Sequence, residues 1–160
     1  MKAAIIVLLV LSLAANALLW RRVAALEKAA VAPNDFPLGE NMGYLQRYAD
    51  KLWYAAEAGN WDLARYYHDE MKETAETIES AHVTKDDVAI SATLHRMLPP
   101  ALQGVDKAID ARNAGIFRER YQALVTTCNA CHVTAKHPFM RIVVPVGPPA
   151  QWNQDFSPQH

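Results

Sequence analysis

Both cysteines of the 160-residue chain lie in one short segment, Cys128-Asn129-Ala130-Cys131-His132. In an α-helix, residues at i, i+3 and i+4 share one face, so the two thiols and the imidazole would point in the same direction. Two thiols at this spacing can attach to the two vinyl groups of a haem, and the next histidine can reach the iron. We therefore predict one covalently bound haem c per chain, with His132 as the proximal iron ligand, whose other ring nitrogen needs a carbonyl or water acceptor.

Three other uses of the two cysteines fit the sequence less well. A thioredoxin-like C-x-x-C requires a βαβ unit, and the sequence pattern contains none. A structural zinc site needs a fourth ligand and usually a second pair of close ligands; His137 could be recruited, but its spacing is poor. A disulfide between cysteines one helical turn apart would close a very small loop, which limits its entropic gain.

Four amphipathic helical patterns follow residue 39, and no strand pattern is convincing. They cover residues 40–58, 61–82, 86–112 and 115–136. Gly59 ends the first helix and Asn60 can cap the second, while Pro99 and Pro100 predict a kink or break in the third. Four such helices with short connections predict an all-α fold, an antiparallel four-helix bundle that occupies residues 40–137.

The N-terminal part of the chain has the pattern of an export signal. Residues 3–20 are uncharged and apolar, follow Lys2 and precede Arg21 and Arg22. We expect residues 1–32 to form a signal peptide or signal-anchor helix, with this hydrophobic helix tethering the domain to the membrane. The alternative is cleavage near Ala15-Asn16-Ala17, which would release a soluble periplasmic protein.

The remaining segments of the chain differ in proline content and in net charge. Residues 33–39 read as a linker, and residues 138–160 as a proline-rich C-terminal tail. Residues 33–160 are mildly acidic, which argues against nucleic acid as a partner. Residues 91–160 are the positive part, with 7 basic and 4 acidic side chains. Such a field could steer an acidic redox partner or offset the haem propionates, and general solubility is the simpler role for the same charges.

A helical bundle with C-x-x-C-H near the end of its last helix resembles the class II cytochromes c, the cytochrome c-prime group and its low-spin relatives. The resemblance covers about residues 38–137, and only the haem motif is specific. The segment "KLWYAAEAGNWDLARYYHDEM" is also similar to exported monohaem proteins of the cytochrome c type. The chain departs from the c-prime pattern after the motif, at Val133-Thr134-Ala135-Lys136, and in its C-terminal tail.

The resemblance implies two candidate functions that differ at the sixth iron position. In the low-spin relatives a methionine near the start of the first helix completes the coordination, and Met42 lies near that place; core packing is its other role. Met140 and His137 are further candidates, whereas His68 fits a hydrogen-bonded core residue and Met97 has no special claim. An empty sixth site, as in the c-prime group, is the other arrangement.

We therefore expect an exported bacterial electron-transfer protein, a monohaem c-type cytochrome rather than an enzyme, which passes single electrons between redox partners in the periplasm or at the outer face of the inner membrane. The alternative is a c-prime-like cytochrome that binds nitric oxide or carbon monoxide at a five-coordinate iron. The resemblance also allows a homodimer. Aromatic residues are expected first as core and second as contacts of the porphyrin: Tyr48, Trp53, Tyr67, Tyr121 and Phe139.

Overall fold

The computed structural model describes residues 2–29, 36–147 and 150–158, with side chains of the first segment given for residue 9 and residues 11–24. The chain divides into two compact units, Met1–Phe36 and Pro37–His160. The first unit contains helix α1 (Lys2–Ala29), whose described apolar side chains are exposed. None of the helices, as far as their residues are described, has the length and hydropathy needed to cross a membrane.

The second unit is predominantly helical, which confirms the predicted all-α class. Its elements are α2 (Leu38–Glu57), α3 (Trp61–Ser80), β1 (Thr84–Lys85), β2 (Val88–Ala89), α4 (Ile90–Asp110) and α5 (Ala114–Thr134). The helix α2 begins within the predicted linker, whose residues 33–35 lie outside the described part of the chain. Helix α3 packs against α2 and α4, and α4 packs against α5.

Asparagine caps set the starts of two helices. Asn60 Oδ1 accepts a hydrogen bond from the Leu63 N–H at 3.1 Å, which confirms the predicted cap of α3. Asn113 Oδ1 accepts from the Ile116 N–H at 3.0 Å at the start of α5. Gly59, with φ of +74°, makes the turn between α2 and α3, a backbone conformation that glycine adopts without strain. The short turns at 58–60 and 111–113 thus place successive helices side by side.

Residues 84–89 form a hairpin where the sequence predicted the start of a helix. Thr84 pairs with Ala89, and Lys85 with Val88, around Asp86 and Asp87. Both aspartates have positive φ, which a two-residue hairpin turn requires and aspartate tolerates. The prediction of a helix from residue 86 was therefore wrong by four residues, because the turn chemistry of the two aspartates overrides the apolar spacing that follows.

Helix α4 is continuous through its two prolines. Pro99 and Pro100 lie inside Ile90–Asp110, so the predicted break is absent. Each proline lacks an N–H and leaves one helix carbonyl without its usual donor. Both side chains are exposed, while Leu94, Leu98 and Leu102 form the buried stripe of the same helix. Burial of that stripe against α3 and α5 holds the helix together across the two missing bonds.

The proline-rich tail packs on the helices. Phe156 is buried and its ring lies 5.6 Å from that of Tyr54 in α2. The Tyr67 hydroxyl donates to Gln154 Oε1 at 2.7 Å, and Asn60 Nδ2 donates to the Ser157 carbonyl at 2.9 Å. The described tail residues therefore belong to the same compact unit as α2–α5.

An aromatic cluster fills the core between α2 and the first half of α5. The ring of Trp53 lies 4.9 Å from that of Tyr121 and 6.1 Å from that of Phe117. The Tyr121 hydroxyl donates to the Ala49 carbonyl at 2.9 Å. Burial raises the pKa of Tyr121 well above its usual value, so the hydroxyl keeps its proton for this bond.

Replacing Tyr121 by phenylalanine should lower the free energy of unfolding by about 1 kcal/mol, because it removes a buried hydrogen bond and keeps the ring. Urea unfolding followed by circular dichroism measures the loss. Tyr44→Phe is the matched control, since its hydroxyl donates to Glu40 in solvent and its loss should change stability much less. Equal effects of the two substitutions would contradict the role given to Tyr121.

Candidate functional site

The three side chains of the motif line one cavity. Cys128, Cys131 and His132, on the last two turns of α5, lie at the edge of a cavity of about 440 Å³. This volume is within the range of cofactor sites, roughly 300–1,000 Å³. The helical spacing of the motif therefore places all three groups at the same cavity, as expected from the sequence.

The remaining walls of the cavity are mostly apolar. They come from the first turns of α2, from α3, from the first half of α4 and from the tail, and include Leu38, Met42, Leu45, Ala49, Met71, Ile90, Leu94, Met97, Leu98, Met140 and Ile142. Such a surface suits a flat, apolar cofactor, because burial of apolar area in water is favourable at about 25 cal/mol per Å². The volume and the lining are therefore compatible with a covalently held haem.

The imidazole of His132 is oriented by the tail. Its Nδ1 lies 2.8 Å from the Met140 carbonyl oxygen. A carbonyl can only accept, so Nδ1 carries the proton and donates, which leaves the Nε2 lone pair free for a metal. The acceptor that the sequence required for this histidine is thus a backbone carbonyl eight residues further along the chain.

Both thiols are free, and burial keeps them protonated. Burial raises the pKa of Cys128 to about 11, and repulsion from a Cys131 thiolate adds to the effect. Burial also raises the pKa of Cys131. A raised pKa in the folded state favours folding below the ordinary value of 9.0, and this contribution is lost as the pH rises towards 11.

Several candidate sixth ligands border the same cavity. Met42 is half-buried on the first turn of α2 and lines the cavity, as do His137 and Met140. Met71 and Met97 line it too, and Met97 was not singled out in the sequence. The signal that could have identified Met97 is its spacing from Leu94 and Leu98 on the buried stripe of α4. Ligation by Met42 stays a prediction.

His68 lies elsewhere, in the core. It is 5% exposed, its Nε2 lies 3.1 Å from the Leu102 carbonyl, and it lines a separate cavity of about 450 Å³ between α3 and α4. Because a carbonyl only accepts, Nε2 donates to it, and Nδ1 faces Asp69 at 3.2 Å. The expectation of a hydrogen-bonded core histidine is confirmed.

The expected aromatic contacts of the porphyrin are not found at the cavity. None of the five aromatic residues named from the sequence lines it in the described part of the chain: Tyr48, Trp53, Tyr67, Tyr121 and Phe139. Tyr121 belongs to the aromatic core cluster, and Phe139 is 77% exposed. Their first assignment, as core, is confirmed for Tyr67 and Tyr121, which are both buried.

Two basic side chains at the cavity could pair with the haem propionates. Arg141, in the tail, was among the positive residues noted in the sequence. Lys85, in β1, was missed, because it lies in a region of the sequence with mostly acidic residues and reaches the cavity only through the hairpin. The positive charge at this site therefore comes from two distant parts of the chain.

The rival chemistries find little support in the described residues. No group of three or more histidine, cysteine, aspartate or glutamate side chains there is arranged to hold a metal ion. The two cysteines are not joined as a disulfide. The strands β1 and β2 form an antiparallel hairpin rather than part of a βαβ unit, which a thioredoxin-like site would need.

Comparisons of the chain with protein-family models, with curated proteins and with solved structures found no match. The motif and the geometry around it are therefore the features that bear on function.

In the haem-free chain, iodoacetamide should label Cys131 faster than Cys128, because only the thiolate reacts and burial raises the pKa of Cys128 to about 11. The rate at Cys128 should rise about tenfold per pH unit through the range below that value. Peptide mass spectrometry gives both rates, and the chain unfolded in guanidinium is the control, in which the two rates should converge. A rate at Cys128 that levels off near pH 9 in the folded chain would show that burial does not raise the pKa of its thiol, which would contradict the prediction.

Proposed function

We propose that this protein is a monohaem c-type cytochrome that passes single electrons between protein partners, and that it is not an enzyme. The observation that carries the proposal is the shared cavity of Cys128, Cys131 and His132, with the Nε2 lone pair of His132 left free. We also propose that α2–α5 form the antiparallel four-helix bundle of class II cytochromes c. The packing of consecutive helices across short turns supports this topology.

Each part of the site has a distinct task in this proposal. A bound haem would supply a one-electron iron couple. Cys128 and Cys131 would hold the cofactor through thioether bonds, and His132 Nε2 would supply the proximal ligand. The apolar walls exclude water, while Lys85 and Arg141 offset the negative charge of the propionates. Met42 is the candidate sixth ligand that would make the iron six-coordinate and low-spin.

Exposed apolar side chains that follow the motif in the chain suit contact with a redox partner. Val133 follows the motif directly, and Phe139, Val143 and Val146 continue along the tail, all of them exposed. Lys136 and Arg141 lie in the same segment. Apolar surface with a basic border is typical of protein–protein contact sites, and here it would favour an acidic partner.

The export and membrane assignments complete the proposal. The apolar segment at residues 3–20, preceded by Lys2 and followed by Arg21 and Arg22, supports export to the periplasm. We propose that it tethers the domain to the inner membrane, with cleavage and a soluble periplasmic form as the alternative. No nucleic-acid partner is proposed, and a homodimer is compatible with the resemblance to class II.

A second candidate function is binding of nitric oxide or carbon monoxide, as in the c-prime group. The apolar side chains of Leu45, Leu94 and Leu98 at the cavity favour it, because an open iron position requires neighbours that cannot coordinate. The two functions differ in whether a side chain fills the sixth position.

Production of the chain in a bacterial periplasm with c-type haem maturation should give a protein that keeps its haem through denaturing electrophoresis. Cys131→Ala should hold haem more weakly, since one thioether is lost, and His132→Ala should alter the iron spectrum. Thr127→Ala, one residue before the motif and on the same cavity, is the control and should stain normally. Normal haem staining and an unchanged spectrum in both motif variants would refute the haem assignment.

The optical spectrum of the reduced protein, before and after carbon monoxide, separates the two functions. An electron carrier should show sharp low-spin bands that do not respond to carbon monoxide, and Met42→Leu should convert them to a broad spectrum that does. Matched leucine variants of Met71, Met97 and Met140 test the other thioethers of the cavity. A response to carbon monoxide in the unchanged protein would instead favour gas binding.

A further inference from the structure

The side chain of Asn129, between the two cysteines, makes a pair of hydrogen bonds with one tail residue. Its Nδ2 donates to the Ile142 carbonyl at 2.9 Å, and the Ile142 N–H donates to Asn129 Oδ1 at 2.8 Å. Both residues are half-buried. The tail is thus fastened directly to the haem-attachment segment, and we refer to these two bonds as the Asn129 clamp.

Only a side-chain amide can make this clamp. A primary amide presents a donor and an acceptor side by side, as the N–H and C=O of one residue do in an antiparallel β-ladder. A carboxylate at this position could accept from the Ile142 N–H but could not donate to its carbonyl, and an alanine could do neither. The residue type at position 129 therefore matters, although the C-x-x-C-H pattern leaves it free.

The Asn129 clamp fixes the position of the backbone carbonyl that accepts a hydrogen bond from His132. Met140 lies two residues before Ile142, a span of at most about 7 Å. The chain between α5 and Ile142 is also held by two backbone bonds, His137 N–H to the His132 carbonyl at 2.8 Å and Met140 N–H to the His137 carbonyl at 3.1 Å. With both ends fastened, the Met140 carbonyl is placed 2.8 Å from His132 Nδ1.

We propose that Asn129 is a positioning residue for the iron ligand: by clamping Ile142 it keeps the Met140 carbonyl on the ring N–H of His132. A hydrogen-bond acceptor on Nδ1 increases the electron donation from Nε2 to the metal. Loss of such an outer contact commonly changes metal affinity or activity by 10- to 100-fold. This inference rests on the proposed haem function and extends it. It makes the C-terminal tail part of the haem site and gives it a role in setting the reduction potential.

Asn129→Ala should shift the reduction potential of the haem-loaded protein in the positive direction. Without the clamp the Met140 carbonyl moves away from Nδ1, so His132 donates less electron density to the iron. Because the oxidised iron depends more on this donation than the reduced iron, it loses more stabilisation. On the order of a tenfold change in the oxidised-to-reduced ratio is expected, which corresponds to about 59 mV for one electron. The ring N–H of His132 should also exchange with solvent faster, as followed by NMR in the reduced protein.

Asn113→Ala is the matched control, because it removes an asparagine hydrogen bond at the other end of the same helix. It should lower the melting temperature without moving the potential, which separates positioning from general destabilisation. Asn129→Leu is the second variant; it keeps about the volume of the amide, removes both bonds of the clamp without adding a charge and should shift the potential in the same direction.

The outcomes are distinguishable. If the unchanged chain carries covalent haem and the potentials of both Asn129 variants match it, the positioning role is refuted while the cytochrome proposal stands. If the variants lower stability as Asn113→Ala does and leave the potential unmoved, Asn129 is purely structural. If the unchanged chain takes up no haem under maturation, the proposed function itself fails.

Discussion

Along the inner face of α5, the first half packs into a dense core and the second half borders a cavity. The rest of the domain depends on this division. In its first half Phe117 and Tyr121 are fully buried in the aromatic cluster with Trp53. In its second half Cys128, Cys131 and His132 border a cavity. The dense half fixes the position and rotation of the helix, because protein cores tolerate little rearrangement. The motif on the other half thereby receives a defined orientation.

The cavity beside the motif is closed by parts of the chain that are far apart in sequence. The first turn of α2 supplies Met42, α4 supplies Leu94 and Leu98, and the hairpin brings Lys85. Lys136 Nζ, two residues beyond α5, donates to the Asp86 carbonyl at 2.7 Å and links that hairpin to the end of α5. A covalently attached cofactor suits such a site, since a modest core of this size offers limited apolar area to retain a free one.

The C-terminal tail contacts the helices at two places. Near the motif its backbone accepts a hydrogen bond from His132 and pairs with Asn129. Further along, Phe156 and Gln154 contact α2 and α3. Proline-rich segments lack regular backbone pairing, so these contacts with side chains take its place. The same segment presents exposed apolar residues beside the motif, and in the proposed function it is both a wall of the haem site and a surface for the partner.

The sequence by itself determined the helices, the cap at Asn60 and the common direction of the three motif side chains, because these follow from local periodicity and from hydrogen bonds within a few residues. It did not reveal the hairpin at Asp86 and Asp87, where two residues with positive φ interrupt a helical pattern. Only the tertiary structure decided which methionines border the cavity, that Tyr67 and Tyr121 pack away from it, and which carbonyl accepts from His132. Those outcomes depend on contacts between residues far apart in the chain, whose energies arise from packing and leave no periodic signal.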